Sequence, residues 1–153
     1  MASFFGNYDY SVDAKGRVNI PSKFRKSLSA EDEERFFVVR GPKNNLRAYP
    51  KAAWDKRADK LSALPETPRN LSLKQMIFGN LSDSTLDVQG RIMLTPDLMD
   101  YAQITKEVTL VGMSEYIELW ETGKYKEHIG GSPKDFDEAF YAVEAELGES
   151  GDE

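Results

Sequence analysis

The sequence predicts an α+β fold of short strands and brief helices gathered into a small barrel, and three observations predict it. The first is an internal repeat. Asp13-Ala14-Lys15-Gly16-Arg17 returns 74 residues later as Asp87-Val88-Gln89-Gly90-Arg91, and the flanks return with it. Tyr10-Ser11-Val12 matches Ser84-Thr85-Leu86, and Val18-Asn19-Ile20-Pro21 matches Ile92-Met93-Leu94-Thr95. Val39-Arg40-Gly41 and Asn45–Tyr49 match Val111-Gly112 and Tyr116–Trp120, and Trp54 falls opposite Tyr125. The second observation is the copy number. Two units of about fifty residues are too few for an ordinary solenoid, so each is expected to complete the core of the other. The third is the rhythm of short strand and short helix signals, which does not fit a parallel sheet.

Copy one begins with Phe4-Phe5-Gly6-Asn7-Tyr8-Asp9-Tyr10, where the aromatic residues and a glycine predict a strand. Gly16 allows the positive φ at which the chain can reverse, and Val18-Asn19-Ile20 alternates as a second strand. Pro21 then opens a short helix, because its missing N–H is not needed in the first turn. Phe24 and Leu28, four apart, form the apolar stripe of that helix and leave Lys23, Arg25 and Lys26 toward water or a partner. Phe36-Phe37-Val38-Val39 reads as a buried strand, Gly41-Pro42-Lys43-Asn44 as a turn and Leu46–Tyr49 as its hairpin mate. A helix from Pro50 places Trp54, Ala58 and Leu61 on one face.

Pro65 and Pro68 mark residues 65–70 as the linker, and Leu71, Met76, Ile77 and Phe78 predict a short apolar helix between the copies. Copy two repeats the order: a strand to Leu86, a turn at Gln89-Gly90, a strand over 91–95, a helix opened by Pro96, and a hairpin of 107–112 with 116–120. The expected organisation is a first repeat over 7–53, connecting helices and linker over 54–81, and a second repeat over 82–125. A C-terminal helix follows over 132–147 and a disordered tail over 148–153. Ser132-Pro133-Lys134-Asp135 starts that helix with a serine N-cap, a proline at the first helical position and an early acid. Phe136, Phe140, Val143 and Leu147 then form a stripe that folds back on the chain or meets another subunit, folding back being the default.

Composition excludes several kinds of chemistry. Without cysteine there is no disulfide framework and no thiolate zinc site. The single histidine, His128, rules out a paired-histidine metal site, and near the end of a helix it complements the dipole without any catalytic role. Glu31-Asp32-Glu33-Glu34 lacks the ligand spacing and glycine hinge of a calcium loop and reads as a solvated loop. Trp54 and Trp120 occupy stripe and strand positions and read as core, not as platforms for bases. No nucleotide loop or nucleophile motif is present, so no catalytic residue, cofactor, metal or small-molecule substrate is predicted. No apolar run approaches the roughly 18 residues of a membrane span, and Met1-Ala2-Ser3-Phe4 lacks the basic start of a signal peptide. The expected address is the cytoplasm, away from any membrane.

Charge is divided along the chain. Residues 1–80 hold 15 Lys and Arg against 9 Asp and Glu, while residues 81–153 hold 5 against 17. An acidic whole argues against non-specific nucleic-acid binding, yet a basic half points to one specialised polyanion-binding face, with simple solvation as the alternative. The repeated pentapeptide has a structural reading of its own. Gly16 and Gly90 shape the turn, and Asp13 and Asp87 accept backbone hydrogen bonds within it and each can pair with an arginine. Arg17 and Arg91 start the following strand with planar forks suited to carboxylate, phosphate or a guanine edge. The turn is kept in both copies, but only the first adds Lys15, Lys23, Arg25 and Lys26; the second has Gln89, Asp97, Met99 and Asp100.

Asn7-Tyr8 through Pro21-Ser22-Lys23-Phe24-Arg25, the Val111-Gly112 hairpin and Ile117-Glu118-Leu119-Trp120 together resemble the MraZ family. This is the tandem-repeat member of the AbrB-like swapped-hairpin barrel superfamily, and the resemblance runs from about Phe4 to Ile129. It implies a tandem-repeat double-split β-barrel with short flanking helices. It also implies a bacterial transcriptional repressor that binds tandem short repeats of double-stranded DNA upstream of the division and cell-wall gene cluster. The implied partners are that promoter DNA, at the nucleoid, and further copies of the chain in a cyclic homo-oligomer.

The family's DNA-contacting motif carries over to Asp13 and Arg17 in copy one and to Asp87 and Arg91 in copy two, with Lys15 at the basic position between the first pair. Arg17 and Lys15 are the expected contacts to base edge and phosphate, Asp13 holds Arg17 and the turn, and Lys23, Arg25 and Lys26 meet the DNA backbone or flank the site. Copy two departs from the pattern: Gln89 replaces a cation, and Thr95 stands at the Pro21 position with Pro96 displaced by one. Its turn remains intact, with a weaker phosphate contact. Antitoxins of the same superfamily supply the alternative, a protein-interaction module, against which a C-terminal helix in place of a long floppy tail weighs.

Overall fold

The structure, a computed structural model, describes residues 2–131 and 133–151. Copy one consists of β1 (Phe4–Ser11), β2 (Arg17–Asn19), α1 (Ser22–Lys26), β3 (Arg35–Arg40) and β4 (Leu46–Pro50). Helices α2 (Lys51–Ser62) and α3 (Pro68–Phe78) lead to copy two: β5 (Ser82–Thr85), β6 (Arg91–Met93), α4 (Pro96–Ala102), β7 (Glu107–Ser114) and β8 (Ile117–Glu121). The chain ends in α5 (Thr122–Ile129) and α6 (Pro133–Gly151). Both copies form one compact unit that ends at Thr122, and a second unit begins at Gly123.

The mixed α+β architecture is built by exchange between the copies. Six antiparallel strands run in the order β1-β7-β8-β4-β3-β5, and β2 pairs with β6 as a separate two-stranded sheet. Strand β1 of copy one pairs with β7 of copy two, from Phe4↔Ser114 to Ser11↔Glu107. In return β5 of copy two pairs with β3 of copy one, from Arg35↔Thr85 to Val38↔Ser82. The strands on either side of each glycine turn therefore pair with the other copy and not with one another. The hairpins β3–β4 and β7–β8 form locally, as the Gly41–Asn44 turn signal and the internal repeat predict.

The registers show a pseudo-two-fold. Val18↔Ile92 centres the β2–β6 pair and Arg47↔Glu118 centres β4–β8, and in each case the partners are repeat equivalents. One core draws on both copies: Phe4, Val18, Ile20, Phe24 and Phe36 pack with Ile92, Leu94, Leu98, Leu110 and Leu119. The run Phe36–Val39 is buried on both faces. Period-two alternation sends Phe36 and Val38 into this core, and Phe37 and Val39 into a second cluster with Tyr49, Trp54 and Leu61. Trp54 stacks on Phe37 at 6.0 Å and meets Phe78 of α3 edge-on at 6.1 Å, contacts worth about 0.5–1.5 kcal/mol each beyond their buried area.

Several local details differ from expectation. Asp32, predicted to lie in a solvated loop, is buried. Its carboxylate accepts from the Ser29 N–H at 2.9 Å and the Ala52 N–H at 3.0 Å, so it satisfies donors at the start of two helical segments. Helix α3 starts at Pro68, inside the predicted linker, because the Thr67 hydroxyl accepts from the Asn70 N–H at 3.1 Å and caps it. Pro21 occupies the N-cap of α1, the position Thr95 holds in α4, where the Thr95 hydroxyl accepts from the Leu98 N–H at 3.3 Å. The Pro21/Thr95 difference is thus a change of cap within one geometry.

Helix α6 runs to Gly151, past the expected boundary at 147. A single interior glycine, Gly148, costs about 1 kcal/mol relative to alanine, and no proline follows to stop the helix. The predicted Ser132 cap and the last two residues lie outside the described residues. Phe136, Phe140, Val143 and Leu147 are exposed. Among the described residues no helix is long and apolar enough to cross a membrane.

Candidate nucleic-acid interface

Each repeated pentapeptide is a turn held by its own aspartate. In the first, Asp13 Oδ1 accepts from the backbone N–H of Lys15 and of Arg17, both at 2.9 Å, and Oδ2 accepts from Arg17 Nε at 2.6 Å. In the second, Asp87 Oδ1 accepts from the N–H of Gln89 at 2.9 Å and of Arg91 at 3.0 Å, and Oδ2 from Arg91 Nε at 2.8 Å. Short acceptors of this kind bind their own backbone two residues on, which is why aspartate begins such turns. The Arg17 backbone N–H, followed by its side chain, holds the Asp13 carboxyl below the usual carboxylate range. Arg91 does the same for Asp87, in each case against a smaller opposing effect of burial. Both aspartates are therefore ionised acceptors at neutral pH.

The glycines are required twice over. Gly16 and Gly90 have φ of +80° and +75°, which favours a residue without Cβ. They also meet close neighbours. A Cβ on Gly16 would lie 2.5 Å from the Leu94 carbonyl oxygen, and one on Gly90 would lie 2.6 Å from Arg25 Nε.

The exchanged strands bring the two turns side by side. Arg17 faces Met93 and Asn19 faces Arg91 across β2–β6. The Leu94 N–H donates to Gly16 O at 2.8 Å, and the Ile20 N–H donates to Gly90 O at 2.9 Å, so each turn is tied to the strand end of the other copy. Arg91 Nη1 also reaches Asp13 Oδ2 at 3.7 Å, which makes Asp13 a bridge between both arginines. Binding through Nε leaves both terminal nitrogens of Arg17 without a partner among the described residues, whereas one terminal nitrogen of Arg91 is engaged.

Asp13, Lys15, Gly16, Arg17, Asp87, Gly90 and Arg91 thus form one cluster around the β2–β6 pair. Lys15 and Gln89 are exposed in the two turns. Arg25 joins the cluster, but at the turn of copy two, a destination its place beside copy one's motif conceals. Lys23 and Lys26 lie exposed on α1, and among the described residues neither hydrogen-bonds or ion-pairs with either turn. Terminal guanidinium nitrogens fixed by a carboxylate behind them, next to an exposed ammonium, suit a phosphate oxygen or a guanine edge. Among the described residues no cluster of metal-ligating side chains occurs.

The family described as "MraZ protein, putative antitoxin-like" matches residues 3–72 and 77–139. A protein named Transcriptional regulator MraZ from Herpetosiphon aurantiacus is 40% identical over 124 residues, which cover 80% of this chain and 84% of that one. A protein of the same name from Acetivibrio thermocellus is 38% identical over 128 residues, covering 83% and 87% of the two chains. A third, from Halothermothrix orenii, is 33% identical over 142 residues, covering 92% and 96%. With one matched segment over each repeat and relatives aligned along most of both lengths, the chain belongs to the MraZ family.

Proposed function

We propose that this chain is a transcriptional regulator that binds double-stranded DNA through the paired turns. The observation that carries the reading is the pairing itself: two glycine turns, each with an arginine held from behind by an aspartate, lie side by side across β2–β6. The names of the relatives support it, since each is called a transcriptional regulator. In this reading Arg17 reads a base edge, Lys15 meets a phosphate, Asp13 and Asp87 position their arginines, and Arg91 makes a more restrained contact because Asp13 already engages it. Lys23 and Lys26 flank the site on the backbone side. The targets are tandem repeats upstream of the division and cell-wall gene cluster, where binding represses transcription at the nucleoid. A gel shift against the DNA upstream of its own gene, with scrambled DNA as control, tests this; equal affinity for the two removes sequence-specific regulation.

One pair of turns spans only a few base pairs, so several must act together to select a promoter. A basic first half and an acidic second half favour head-to-tail contact between subunits, and such contacts close into rings when the rotation permits. The expected species is a cyclic homo-oligomer. Light scattering that finds a monomer at micromolar concentration sinks that part of the proposal. The exposed apolar stripe of α6 supports a second reading, an antitoxin-like protein-interaction module. It predicts a stoichiometric protein partner and no preference for the upstream DNA.

A further inference from the structure

Read along the chain, the two motifs are unequal. Copy one has Lys15, Arg17 and Arg25, whereas copy two has Gln89, Arg91 and Met99 at the equivalent positions. Strand exchange redistributes these groups. Helix α1, which belongs to copy one, delivers Arg25 to the turn of copy two. A Cβ on Gly90 would lie 2.6 Å from Arg25 Nε, 2.7 Å from Cζ and 2.8 Å from Cδ. Arg25 Nε donates to the Ile20 carbonyl at 3.0 Å, and the N–H of the same Ile20 donates to Gly90 O at 2.9 Å. One residue of backbone thus fixes both the guanidinium and the turn beneath it. Reciprocally, α4 of copy two delivers Met99 to the first turn, with Sδ 3.3 Å from a Cβ built on Gly16.

Counted in space, the inequality disappears. The first turn has Lys15, Arg17 and a neutral Met99; the second has a neutral Gln89, Arg91 and Arg25. Each holds two cations, one fixed on its own aspartate and one more exposed. Glycine at position 90 lets the second cation lie against the backbone, and no partner among the described residues takes its terminal nitrogens.

We infer that Arg25 is the phosphate-binding cation of the second turn, standing in for the lysine that turn lacks, so that both turns bind the DNA backbone. The inference rests on the DNA-binding reading proposed above. It differs from a role for Arg25 as a flanking contact of copy one, and from a purely structural role through Ile20.

The test is a fluorescence-anisotropy salt series on the full-length protein with labelled upstream DNA, comparing wild type, Arg25→Met, Gln89→Lys and the double variant. Loss of one phosphate contact lowers the slope of log affinity against log salt by about 0.9, a change of about 3.5-fold between roughly 50 and 200 mM salt. Arg25→Met is expected to show that loss for each engaged subunit. Gln89→Lys should restore the slope in the Arg25→Met background and add much less to wild type, because the two cations serve one phosphate. An unchanged slope in Arg25→Met overturns the inference. So does an equal gain from Gln89→Lys in both backgrounds, which marks independent sites, or a loss that Gln89→Lys leaves unrestored, which marks the structural role. Wild-type protein that fails to bind the DNA sinks the regulator reading itself and is seen before any variant is compared.

Discussion

Arg17→Ala separates the proposed reading contact from the architecture that holds it. The side chain touches the rest of the protein through Nε, which donates to Asp13 Oδ2 at 2.6 Å. Its terminal nitrogens take no part in the fold among the described residues, and the neighbouring anchors of the β2–β6 pair, Val18 and Ile92, are 0% and 1% exposed and untouched by the change. Asp13 Oδ1 keeps its backbone donors at Lys15 and at residue 17, whose N–H survives the substitution. The fold should therefore persist, with a melting curve close to wild type. DNA binding should not. A lost bidentate contact to a guanine edge costs about 1–3 kcal/mol, or roughly 5- to 150-fold in Kd, for each engaged contact. Arg91→Ala should cost less, since Arg91 Nη1 already faces Asp13 at 3.7 Å and has less of its fork to offer. Anisotropy titrations with upstream and scrambled duplexes measure both. A folded Arg17→Ala that keeps full preference for the upstream DNA refutes the reasoning, and a larger loss for Arg91→Ala reverses the ranking of the turns.

Lys15→Gln copies the second turn at that position and should weaken upstream and scrambled DNA alike, flattening the salt slope by about 0.9 for each contact; a loss confined to upstream DNA would make Lys15 a base reader. Gly16→Ala and Gly90→Ala share the strain of positive φ, about 1–3 kcal/mol, but differ in what the new methyl meets. At 16 it meets the Leu94 backbone carbonyl and should lower the melting temperature more; at 90 it meets the Arg25 side chain, displaces it from the Ile20 carbonyl and should act more on DNA binding. Equal melting temperatures would contradict that contrast. Asp13 and Asp87 both titrate below the ordinary aspartate value of about 3.9, so the stability they contribute is complete above that value. It is lost as pH falls through their depressed pKa values. Carboxyl NMR titration should find both midpoints below that of the unfolded chain, and a normal midpoint would remove the Asp13–Arg17 interaction from the account.

The local elements could be read directly from residue order. Gly41–Asn44 places the β3–β4 hairpin, and the internal repeat, at an offset shortened to 71–72 residues in this region, transfers that assignment to β7–β8. Trp54 falls in the core because its stripe partners Ala58 and Leu61 recur at helical spacing. Strand partners across the copies are harder to read. Alternation along Phe4–Tyr10 says which side chains point inward, but β3 and β7 are repeat equivalents, so nothing local tells β1 to take the distant one. That choice carries α1 across to Gly90, so residue order alone groups Arg25 with the motif of copy one. Asp32 was hidden for a related reason. Its acidic neighbours predict solvation, while its burial depends on the Ala52 N–H, 20 residues away.

The exchange of strands has a consequence for how the two halves can diverge. The registers centred on Val18↔Ile92 and Arg47↔Glu118 are those of a symmetric dimer, here joined through α2 and α3 into one chain. In a dimer of identical chains, any change in the turn appears twice, and a lysine cannot be gained on one side while it is lost on the other. Covalent linkage removes that constraint. It also makes pairing between halves intramolecular, so their association no longer depends on protein concentration. Lys15 against Gln89, and Arg25 against Met99, are differences that a dimer of identical chains cannot hold. The tether thus turns a two-fold scaffold into a polar one, which under the proposed function would meet the two strands of an asymmetric DNA sequence with different side chains.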